Sequence, residues 1–165
     1  MADFQPAVQN TELWEGGYSN HVADSGGETY RGISRNNFPN WNGWAIIDVI
    51  DHSTLDQNSQ LQALVVAFYH ATFWHYDGIN DQAVANKIFD LAVNVGQRHA
   101  IKIVQLAVSV IADGVYGPAT EAAINCTSNL LPSIKDQATN YYEQIVQAHP
   151  EDAIFLAGWL RRINS

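Results

Sequence analysis

At 165 residues the chain is long enough to bury one sizeable core without disulfide or metal staples. An apolar fraction of 47% with 15% charged residues excludes a disordered chain, and 17 acidic against 8 basic residues argue against a nucleic-acid partner, which asks for a basic face. The formal charge of −9 also gives no long-range attraction to an anionic surface, so such a partner must be held by short-range hydrogen bonds and stacking.

Residues 3–15 predict a first helix, with Phe4, Ala7 and Val8 at helical spacing and the pair Gly16-Gly17 as a stop that tolerates left-handed backbone angles. Residues 18–34 change texture. Asn20, Asp24, Ser25, Gly26, Gly27 and Gly32 alternate with Tyr18, Thr29, Tyr30 and Ile33, which predicts a β-hairpin or loop. A short helix is expected over 44–50, then a longer one over 59–75 with Leu61, Leu64, Val65, Phe68 and Thr72 on one stripe. Asp81 is placed to cap a helix carrying Val84, Ile88, Leu91 and Val95, which Gly96 ends. A helix over 99–111 is stopped by Asp113-Gly114, and Pro118 opens another that runs to 124. Helices over 133–148 and 151–163, separated by Pro150, close the chain.

The pattern is one mainly α domain, with a motif-bearing half over 1–75 and a helical half over 81–165 in the same compact unit, and a small β-hairpin element after the first helix. Trp44, Trp74 and Trp159 are assigned to the core. The apolar stretch 63–74 is broken by Tyr69, His70 and Thr72 and is too short to span a bilayer, so no membrane insertion is expected. The first residues show no basic segment followed by an apolar one, so a secretory signal is not expected. Cys126 is the single cysteine, which precludes an intramolecular disulfide, and its place after Ile124 predicts a buried thiol. His70 and His75 are five apart rather than the four of a helical zinc pair, and no metal or other cofactor is expected.

Glu15 falls at the predicted C-terminal end of the first helix, beside Leu13 and Trp14. The partial negative charge of a helix end and desolvation by apolar neighbours both raise a carboxyl pKa, as a general acid requires. A plain surface glutamate fits the same position. Asp24 follows nine residues later in the glycine-rich segment, with Thr29 five further on. A helix-end glutamate and a loop aspartate can face each other across a cleft, as two-carboxylate glycosidases need, with a threonine hydroxyl placing the water. Asp24 can equally cap its own turn before Ser25-Gly26-Gly27. Tyr30 and Trp44 offer rings for sugar faces, although such rings in a helical domain commonly pack in the core, where Trp44 is placed. Tyr18 is a substrate-binding candidate open to either reading, and Asn94 offers an amide to an acetamido group or a cap before Gly96. Asp90 is read as structural.

Glu15-Gly16-Gly17-Tyr18, then Asp24-Ser25-Gly26-Gly27-Glu28-Thr29 and Gly32-Ile33-Ser34, resemble the signature of glycoside hydrolase family 108, which contains bacterial and phage N-acetylmuramidases. The block from Phe89 to Gly96, continuing through Asp113-Gly114-Val115-Tyr116-Gly117-Pro118-Ala119-Thr120, resembles that family's companion peptidoglycan-binding region, and Phe155 to Arg162 resembles its usual ending. The chain departs from the family at Val22 and Ser25, where prolines are common. The resemblance implies a lysozyme-like helical fold with Glu15 as catalytic acid. The step from Glu15 to Asp24 also matches that between the two carboxylates of phage-type lysozymes, with Thr29 near their threonine.

The expected activity is hydrolysis of the β-1,4 bond between N-acetylmuramic acid and N-acetylglucosamine. Peptidoglycan is then the partner, a monomer the working form, and phage lysis or local wall remodelling for secretion the setting. Synthesis is expected in the cytoplasm and action at the periplasm or wall, with a holin or secretion system for export. A lytic transglycosylase, which closes an anhydro ring instead of admitting water, and a non-catalytic peptidoglycan-binding module are the competing readings.

Overall fold

The computed structural model describes residues 1–11, 16–20 and 27–165. It has the mainly α, lysozyme-like architecture expected, with a small antiparallel sheet after the first helix. Its contacts divide the chain into two compact units: Phe4–His75, and Tyr76–Ser165 together with Met1–Asp3. Among the described residues no helix is long and apolar enough to cross a membrane.

In the first unit, helix α1 (Phe4–Asn10) buries Phe4, Ala7 and Val8, the three positions its spacing singled out. Phe4 meets His70 and Trp74 edge-on, with ring centroids 4.7 and 5.7 Å apart. The predicted remainder of this helix, residues 12–15, lies outside the described residues. Strands β1 (Tyr18–Ser19), β2 (Thr29–Tyr30) and β3 (Ile33–Ser34) form the sheet in that order, with Tyr18 opposite Tyr30 and Thr29 opposite Ser34. Arg31 and Gly32 join β2 to β3 with φ of 44° and 76°. Two positive φ values in a two-residue connection are the type I′ turn whose twist suits paired strands.

Helix α2 (Trp44–Ile47) is shorter than expected. A 3₁₀ turn over His52–Gln57 follows, opened by Asp51 accepting from the Ser53 N–H. Helix α3 (Ser59–Phe73) starts where the Asn58 side chain accepts from the Leu61 N–H at 2.9 Å, and it buries Leu61, Val65 and Tyr69, four residues apart on one face. Side chains of this size each contribute roughly 1.5–3 kcal/mol on burial.

In the second unit, Asp81 caps helix α4 (Gln82–Val95) by accepting from the Ala83 and Val84 N–H groups, and Gly96 ends it at φ 81°. Helix α5 (Gln97–Ala107) begins directly after Gly96 and stops well before Asp113. Its end is a left-handed Ser109 (φ 57°), with the Val110 N–H donating to the Gln105 carbonyl and the Ser109 N–H to that of Leu106. Those two bonds define a Schellman closure, usually built on glycine. Helices α6 (Pro118–Cys126), α7 (Leu130–Ala148) and α8 (Ala153–Asn164) complete the unit.

Asp90 of α4 accepts from Arg162 Nε and Nη2 of α8 at 3.1 and 2.9 Å, while Lys87 Nζ donates to the Arg162 carbonyl. The structural reading of Asp90 is thereby given a partner. Trp44 and Trp74 are buried as expected. Trp159 is half-buried, stacked on Tyr142 with centroids 4.9 Å apart. Cys126 is a correction: it is exposed, because the buried face of α6 carries Thr120 and Ile124 and the last turn leaves its thiol in solvent.

Candidate active site

Among the residues expected to carry chemistry, Glu15 and Asp24 lie outside the described residues. The chain around them is described. Glu15 immediately precedes the segment leading into β1, and Asp24 belongs to the connection that leaves β1 after Ser19 and returns at Gly27. Thr29 sits half-buried on β2, and its hydroxyl donates to the Gly27 carbonyl at 3.1 Å.

Tyr18 is half-buried on β1. Its hydroxyl donates to Glu28 Oε1 at 2.9 Å, and its ring lies against that of His52 with centroids 3.9 Å apart. Desolvation, then the bond to the Glu28 carboxylate, raise the Tyr18 pKa and keep the phenol a neutral donor. Glu28 Oε2 in turn meets Arg35 Nε at 2.7 Å. Arg35 reaches on to both carboxylate oxygens of Asp48 and lies 4.5 Å over the Trp44 ring, while its backbone N–H donates to the Glu28 carbonyl. The bond to Asp48 is the largest cause raising the Arg35 pKa, so the guanidinium is a fixed positive charge between two carboxylates.

A second network secures the turn. The Tyr30 hydroxyl donates to Asp56 Oδ1 at 3.0 Å and accepts from Gln62 Nε2 at 2.8 Å and Arg31 Nε at 3.3 Å. Arg31 also pairs with Asp56 at 2.8 Å, and this bond, followed by the one from Tyr30, holds the Asp56 carboxyl below its usual range. The sugar-stacking role expected for Tyr30 is therefore corrected. Its ring has 0% exposure, so no face is available to a sugar, and its hydroxyl is committed to the turn.

Asn94 belongs to the other unit, on α4, where its Nδ2 donates to the Tyr142 hydroxyl. Burial pushes the Tyr142 phenol up to about 12, so it too stays neutral. Glu28, Arg35, Arg31, Asp56 and Gln62 were not singled out from the sequence. One signal was there: two of the chain's eight basic residues, Arg31 and Arg35, stand four apart around the β2–β3 turn. Among the described residues no group of three or more His, Cys, Asp or Glu side chains is placed to hold a metal ion. A cleft of about 300 Å³ lies elsewhere in the first unit, lined by Asn37, Phe38, Pro39, Asn40, Trp41 and Phe68.

Comparison with known proteins adds three findings. The family model described as Glycosyl hydrolase 108 matches residues 8–96, more than half of the chain, and that described as Predicted Peptidoglycan domain matches residues 92–164. No curated protein sequence matches the chain. Among solved structures, that of Brucella abortus SagA is similar with a TM-score of 0.66 and 23% identity, covering 98% of this chain and 89% of that one. At that identity the likeness speaks for the fold.

Proposed function

We propose that this chain, which belongs to the glycosyl hydrolase 108 family and is a glycoside hydrolase acting on peptidoglycan, cleaves the β-1,4 bond between N-acetylmuramic acid and N-acetylglucosamine. Glu15 donates its proton to the departing glycosidic oxygen. Asp24 acts on the opposite face of the sugar, activating the water or stabilising the positive transition state, and Thr29 helps place that water. Because its hydroxyl donates to Gly27, Thr29 meets the water with an oxygen lone pair. Tyr18 borders the same segment, and the Asn94 carbonyl oxygen accepts an acetamido N–H. The two halves act as one muramidase domain. Action as a monomer at the wall, after delivery by a holin or secretion system, completes the proposal.

One observation carries this reading. The matched stretch 8–96 contains Glu15, Asp24 and Thr29, and within it the two carboxylates flank β1 along the chain, with Thr29 on the strand that β1 pairs with. The competing outcomes differ in their products. Incubation with purified sacculi, followed by mass spectrometry of the soluble fragments, is expected to give reducing muramic acid ends. Anhydro ends would replace the hydrolase with a lytic transglycosylase, and no release at all would leave a binding module.

A further inference from the structure

The connection that carries Asp24 leaves the sheet after Ser19 and re-enters it at Thr29, and its two ends are closed by side chains as well as by the strand ladder. Tyr18 on one side and Glu28 on the other are joined hydroxyl to carboxylate at 2.9 Å, and Glu28 is held from behind by Arg35 at 2.7 Å. Arg35 is itself fixed three ways, by Asp48, by the Trp44 ring and by its own backbone bond to Glu28. The next backbone link, the Arg31 N–H to the Gly17 carbonyl at 3.4 Å, ties the residues just after Glu15 to the end of β2.

We infer that Glu28 and Arg35 are positioning residues: with Tyr18 they form a clasp across the ends of β1 and β2, where the connection carrying Asp24 departs and returns, and so act on turnover through Asp24. The inference rests on the two-carboxylate reading proposed above. The Glu28 side chain is 17% exposed and that of Arg35 30%, and the Arg35 Nε that faces Glu28 is itself buried, so the pair is only partly solvated. Such a pair contributes by fixing orientation. Reactions between held groups lose about 10- to 100-fold for misplacements near 1 Å.

The test is a double-mutant cycle on sacculus digestion by the full chain, with Asp24→Asn as the second arm and thermal melts alongside. Glu28→Gln keeps an acceptor for Tyr18 but loses the charge that faces Arg35. Its kcat should fall about tenfold with KM within about twofold, in a protein that the melt shows to be folded at the assay temperature. Glu28→Ala should lose more, and Tyr18→Phe, which removes one hydroxyl and threatens the fold least, should lose less. In the Asp24→Asn background the Glu28→Gln change should cost almost nothing further, because the group it positions is already gone. Equal losses in both backgrounds would overturn the clasp and leave the two-carboxylate reading standing. Full turnover by Asp24→Asn alone would overturn that reading and the clasp with it.

Discussion

Gly32 is constrained twice. Its φ is 76°, and a Cβ there would sit 2.7 Å from the Tyr69 hydroxyl, which donates to the neighbouring Arg31 carbonyl at 2.8 Å. Gly32→Ala should therefore lower stability by about 1–3 kcal/mol, read as a drop in thermal midpoint, since strain and clash act together. Arg31 accepts a positive φ in the same turn because Asp56, Tyr30 and Tyr69 hold it there. The Asp56 carboxyl has a lowered folded pKa, so its stabilising contribution is present above the unfolded value of about 3.9 and is lost as pH falls through the folded value. Melts of wild type and Asp56→Asn should differ by a constant amount above about pH 5 and converge below about pH 4. The difference stays small, because the Asp56 side chain is 61% exposed. Apart from Tyr30, none of these partners is near Arg31 in sequence. Tyr30 shows the consequence: an aromatic in a glycine-rich hairpin reads as a sugar platform until its burial and its bonds to Asp56 and Gln62, both more than twenty residues away, are known.

Elements with local signals were legible and those closed by unusual residues were not. Asp81 and Gly96 bracket α4 as expected, since a side-chain oxygen at one end and a left-handed glycine at the other are properties of single residues. The end of α5 was misread. Asp113-Gly114 looks like its stop, but the helix ends at Ala107 and closes on the left-handed Ser109, four residues before Asp113. The Asp113–Gly114 turn is instead organised by the buried Gln105, whose Nε2 donates to Asp113, Val115 and Thr120 and whose Oε1 accepts from the Gly114 N–H. A left-handed non-glycine residue costs about 1 kcal/mol. Ser109→Gly should accordingly raise the urea midpoint of unfolding, by about 0.5–1 kcal/mol in stability, and a loss would mean that the serine side chain contributes something the Schellman bonds do not. The 3₁₀ turn at His52–Gln57 was missed for a similar reason: it is held by an Asp51 cap and by Gln62, without helical periodicity to announce it.

At the scale of the molecule, the family boundary and the packing boundary do not coincide. The glycosyl hydrolase match runs to residue 96, yet the chain's contacts place everything from Tyr76 onward, α4 included, in the second unit. Helix α4 buries Val84, Ile88, Phe89 and Leu91, and α5 is its most extensive partner within that unit. A fragment of residues 76–165 should therefore melt cooperatively in isolation, whereas 97–165, cut at the family edge, should lose its core and show no cooperative transition by circular dichroism. The mainly α character and the hairpin were readable because hydrophobic period and glycine clusters are local. The division into units arises from contacts between distant segments, which no local pattern records. Proton donation from Glu15 to the departing sugar is tested by Glu15→Gln, with release of soluble fragments from sacculi measured beside a thermal melt. Release should be abolished while the melt stays that of the wild type; a folded Glu15→Gln protein that still releases fragments at the wild-type rate would contradict Glu15 as the proton donor.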